Sequence, residues 1–81
     1  MKDFAFERPV LLGAPARAQI RTAEEAAHIL RSRLRERFTI AGLNALLMLE
    51  RAGETDEVEE ARQAFCSWAS NEQLLAHTVA S

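Results

Sequence analysis

The residues able to do chemistry in this chain of 81 are few: one cysteine, two histidines, a cluster of carboxylates and a cluster of arginines. Cys66 could act as a nucleophile with His77 as its base, yet it lies beside Phe65 and Trp68 in an apolar stretch. A free cysteine in such company packs as a small hydrophobe. No third orienting group or oxyanion loop accompanies it, as an activated thiol requires. His28, after Ala26-Ala27, reads as a surface or boundary residue, and one histidine makes no pH switch by itself. Cys66, His28 and His77 lack the paired spacing that brings zinc ligands together. Asp56, Glu57, Glu59 and Glu60 lack the alternating oxygen ligands and the glycine of a calcium loop. They suit the positive pole at a helix start instead. With no Gly-rich phosphate loop, HExxH, CxxC or nucleophile elbow, the residues imply neither cofactor nor metal, and a stand-alone enzyme is not expected.

The arginines from Arg31 to Arg37 suggest phosphate neutralisation, which supplies most non-specific nucleic-acid affinity. On a helix, successive residues turn by about 100 degrees, so Arg31 and Arg35 share one side while Arg33 and Arg37 point elsewhere. The candidate basic patch is therefore Arg31 with Arg35, joined in the nucleic-acid alternative by Arg17 and Arg21. No aromatic is interleaved for base stacking. A helix-turn-helix around Gly53 would bring Asp56, Glu57, Glu59 and Glu60 toward phosphates, which repel them. Nucleic acid is thus a disfavoured partner, kept only as the alternative.

Those groups must be positioned by short elements. Pro9-Val10-Leu11-Leu12 runs into Gly13-Ala14-Pro15-Ala16, and residues 17–21 then alternate polar with apolar. This pattern predicts an antiparallel β-hairpin over about 9–21, with Val10, Leu12, Ala18 and Ile20 on its buried face. A lone hairpin is barely stable in water, so it must rest on a helix or another strand. Thr22 followed by Glu25 opens a helix over about 23–35, with Ala23, Ala26, Ala27, Leu30 and Leu34 as its inner stripe. Thr39 caps a second over 40–52, closed by Gly53 in the left-handed conformation. A third, over about 56–69, opens with Asp56 and Glu59 as a capping box; Val58, Ala61, Phe65, Trp68 and Leu75 form its stripe. Ser70-Asn71-Glu72-Gln73 kinks or restarts it into a last segment over 71–78. The fold class expected is α+β, a hairpin followed by three or four packed helices in one domain over residues 1–81.

The second helix is the unusual one. Ile40, Leu43, Leu46, Leu47, Met48 and Leu49 cover most of its circumference. Either it is central and fully buried, or its second face meets another chain. The candidate interface is Leu43, Leu46, Leu47 and Leu49.

Size gives the second option weight. A domain this small buries only about 60% of its unfolded surface and often needs a staple. One cysteine excludes an intrachain disulfide and no zinc set exists, so a partner subunit remains. The expected partner is a second copy, forming a dimer, or another unidentified protein. The net charge of −2 divides unevenly: eight bases and five acids lie up to Arg37, two bases and seven acids beyond it. That division favours attraction between the halves or between subunits. The acidic start carries no signal-peptide core and no apolar run reaches membrane-spanning length, so a cytoplasmic location without membrane contact is expected.

The order of motifs resembles a bacterial family of small proteins, domain of unknown function 982. Arg8-Pro9-Val10 opens the hairpin, Thr22-Ala23-Glu24-Glu25-Ala26-Ala27 opens a helix, and Ala61-Arg62-Gln63-Ala64-Phe65 lies on the last one. The likeness covers about Phe6 to Leu75. That family tends to carry Trp-Pro where this chain has Leu34-Arg35, and a cysteine near Leu47. The resemblance implies the same α+β fold and no known activity, so no functional residues carry over. Within the shared motif, Arg62 is placed to tie back to Glu59 one turn earlier.

Overall fold

The computed structural model of the chain describes residues 5–13 and 17–75. Two strands, β1 (Ala5–Leu12) and β2 (Ala18–Thr22), form an antiparallel hairpin, and three helices follow: α1 (Ala23–Glu36), α2 (Ile40–Arg51) and α3 (Thr55–Asn71). The fold is α+β, as the alternation and capping patterns require. Val10 pairs with Ile20, Leu11 with Gln19 and Leu12 with Ala18, and the register then shifts before Ala5 meets Thr22. The hairpin therefore starts at Ala5 and not near residue 9. Pro9 has no N–H to give a ladder, and it falls within the shifted stretch, where the strand continues past it. Phe6, beyond the shift, is buried.

The helix starts follow from local chemistry. Thr22 Oγ1 accepts from the Glu25 N–H at 3.2 Å, and Glu25 reaches back to the Arg21 N–H at 2.7 Å. Thr39 Oγ1 accepts from the Gly42 N–H at 3.0 Å. At α3 the expected Asp56–Glu59 box does not form. The cap is Glu54, and Glu57 accepts from the Gly53 N–H at 2.8 Å, repeating the reach-back seen at α1. Gly53 is not left-handed either: α2 ends on Ala52 at φ −59 and ψ 124, with no glycine at positive φ among the described residues.

The left-handed residue is Gln73, at φ 60. The Leu74 N–H returns to the Ala69 carbonyl at 2.8 Å and the Gln73 N–H to that of Ser70 at 3.1 Å. These two bonds are the Schellman closure of a helix. It replaces the expected last helical segment. Leu75 bridges Leu12 antiparallel, and the Gly13 N–H donates to the Leu74 carbonyl at 2.8 Å. Leu75 thus leaves the α3 stripe, and residues 76–78 of that expected segment lie outside the described residues.

Packing makes three layers. β1 rests on α3 and β2 on α1, while α2 packs on α3 and α1 and makes no substantial contact with the hairpin. The core joins Phe6, Val10, Leu12 and Ile20 of the hairpin to Leu30, Leu49, Phe65, Trp68 and a set of alanines. Ala26, Ala45, Ala61 and Ala69 are wholly buried, so volume comes from a few large side chains, with Phe65 and Trp68 rings 5.7 Å apart. Ala18 does not join this core. It faces Leu12 across the ladder but borders a surface hollow with Arg17 and Gln19, its methyl too short to reach inward. Leu34, near the end of α1, is half-buried.

Candidate functional site

As the outermost layer, α2 is covered on one side only. Gly42, Ala45 and Leu49 face α1 and α3 and are buried. At Gly42 the approach is close: a methyl built there would sit 2.8 Å from Trp68 Nε1 and 2.9 Å from both Leu34 Cδ2 and Thr39 Oγ1. The Trp68 indole N–H is itself buried without an acceptor among the described residues. Small residues on the inner side thus let α2 lie tight against its neighbours.

Rotation of 100 degrees per residue then places Ile40, Asn44, Leu47 and Arg51 on the opposite side, flanked by Leu43 and Met48. Ile40 is 66% exposed and the preceding Phe38 60%, while Leu47 and Met48 are each 37% exposed. Of the four leucines expected to form an interface, Leu47 is exposed and Leu43 half-buried. Leu46 is half-buried against the core, and Leu49 is a core residue unavailable to any partner. Ile40, Met48 and Phe38 belong to the surface in Leu49's place. Their omission has a readable cause: with six large apolar residues around the helix, hydrophobicity alone does not set its phase. The small residues Gly42 and Ala45 carried that signal.

The basic candidates separate. Arg31 meets Glu50 of α2 at 3.1 Å and Glu24 at 3.6 Å, and its hydrogen bond to Glu50 raises its already high pKa. Arg33 pairs with Glu36 at 3.7 Å and Arg37 with Glu72 at 3.8 Å. Arg35 is exposed and makes no ion pair among the described residues. Three of the four arginines are therefore engaged by carboxylates, and Arg21 is turned onto Gln19.

Arg62 does tie back to Glu59, at 2.6 Å, and this hydrogen bond holds the Glu59 carboxyl down at about 2. Cys66 lies next to this pair, its Sγ 3.7 Å from Arg62 Nη1. Burial pushes the thiol up, and the Arg62 charge offsets only part of that. Its surroundings therefore favour the thiol over the nucleophilic thiolate. His28 is exposed, and His77 lies outside the described residues. Among the described residues no group of three His, Cys, Asp or Glu side chains is placed to hold a metal ion, and no helix is long and apolar enough to cross a membrane.

Set against known protein families, curated proteins and solved structures, the chain matches none.

Proposed function

We propose that this chain is a non-catalytic interaction module that self-associates through the outer face of α2. The exposure of Ile40, Leu47 and Met48 on α2, with Phe38 exposed just before the helix, carries this reading. Contiguous apolar exposure marks a contact surface where scattered single residues would not. The inner face of α2 is buried through Gly42, Ala45 and Leu49, and Ile40, Leu47 and Met48 do not belong to that core. The motif likeness to the domain of unknown function 982 family belongs to the same reading and adds no activity. The pairing of Arg31, Arg33 and Arg37 with carboxylates supports protein over nucleic acid as partner. A cytoplasmic setting fits a small domain with one half-buried thiol and no disulfide.

Light scattering on protein eluting at micromolar concentration tests the reading. A dimer mass is expected, with Leu47→Asp shifting it to monomer and leaving the far-ultraviolet circular dichroism unchanged. A strict monomer removes self-association, and a dimer indifferent to Leu47→Asp moves the contact elsewhere.

A further inference from the structure

The outer face of α2 ends in opposite charges. Where α1 hands over to α2, through Arg37, Phe38 and Thr39, Arg33 and Arg37 are paired with Glu36 and Glu72, and Arg35 is the exposed cation that makes no ion pair among the described residues. Where α2 hands over to α3, Glu54, Asp56, Glu57 and Glu60 gather, and Arg51 is outnumbered. Two copies meeting with their helices parallel would set like ends together. Meeting antiparallel, they would set each cationic corner on an acidic one, twice over, with the helix dipoles also opposed.

Shape agrees with charge. At the acidic corner Met48, Arg51, Ala52, Glu57 and Glu60 line a hollow of 120 Å³, its apolar part from Met48 and Ala52 and its acids from α3. At the cationic corner Phe38 stands 60% exposed beside Arg37. An antiparallel mate centred on Asn44 brings Ile40 opposite Met48 of the partner subunit and carries Phe38 to that hollow. Asn44 is exposed, lies midway along the apolar stripe, and would then face its own symmetry equivalent. A lone asparagine in an apolar seam specifies register, at a cost in stability, by favouring the alignment in which its amide finds a polar partner.

We infer that the second copy docks antiparallel about a two-fold axis near Asn44, with Arg35 of each chain over Glu60 of the other. This inference rests on the self-association reading, and its test separates the two. Dimerisation of wild type, Arg35→Glu, Glu60→Lys and the chain carrying both changes is measured by sedimentation at low and high salt, with circular dichroism confirming the fold. Each two-fold contact repeats, so either single reversal is expected to weaken the dimer by about tenfold or more. The double reversal should restore it to within about threefold, and salt should weaken the wild type. Arg35→Gln and Glu60→Gln, which remove charge without reversing it, should move the dimer the same way by less. A double variant no better than the singles, or a dimer strengthened by salt, overturns the antiparallel arrangement. A dimer untouched by every variant overturns it too and leaves self-association standing. A wild type that stays monomeric throughout overturns both.

Discussion

The two faces of α2 divide their residues against the usual pattern. The side against α1 and α3 carries Gly42, Ala45 and Leu49, with Leu46 half-buried beside them, whereas the side away carries Ile40, Leu43, Leu47 and Met48. A helix serving only its own core would place its larger side chains inward, where each fully buried one is worth about 1.5 to 3 kcal/mol. Here two of the buried positions are the small Gly42 and Ala45, and several large side chains lie outside. Contact distance sets the inner face, and the outer one remains as apolar surface.

That contrast can be broken most sharply at Leu49. Leu49→Ala should destabilise the fold by about 2 to 5 kcal/mol in urea unfolding, because it removes one of the few large groups in an alanine-rich interior. Leu47→Ala, two residues away on the other side, should cost less than about 1 kcal/mol, and equal costs would end the division into faces. Gly42→Ala comes next. Helix propensity alone gives a gain of about 1 kcal/mol, but the new methyl meets Trp68, Leu34 and Thr39 at under 3 Å. Overpacking of this kind costs about 1 to 3 kcal/mol, so a net loss in thermal stability is expected, and a gain would show that the helices have room to part. The smallest effect on folding belongs to Ile40→Ser. At 66% exposure it should shift stability by no more than about 0.5 kcal/mol, while weakening the proposed dimer. A large loss of stability in the monomer would mean that Ile40 serves the chain's own core.

Much of this was legible in local chemistry. Thr22 and Thr39 announced two helix starts because a hydroxyl three residues before a free N–H has one obvious use. The inner stripe of α1 followed from its spacing, with Ala23, Ala26, Ala27 and Leu30 all buried. What stayed hidden depended on distant contacts. Asp56 and Glu59 have capping-box spacing, but Glu59 is drawn to Arg62 and Glu57 takes the turn's N–H. Gly53 looked like the natural left-handed residue, yet Gln73 takes that conformation because the chain must turn there toward β1. The strand before Pro9 was missed because proline reads as a boundary until Phe6 is seen in the core. For the candidate surface, the helix was evident and its phase was not. Leu49 entered the expected interface because its burial depends on α1 and α3, which no window within α2 contains.

The return of Leu74 and Leu75 to the hairpin has a consequence for how the chain comes apart. Their bonds to Gly13 and Leu12 join the first element to the residues that close the last helix. The outer edge of β1 therefore opens only if the end of α3 opens with it, and the two should form one cooperative unit in native-state hydrogen exchange. The hairpin, too small to persist alone, borrows its protection from the far end of the sequence. The outer side of α2 stands outside that loop of mutual support, since α2 makes no substantial contact with the hairpin.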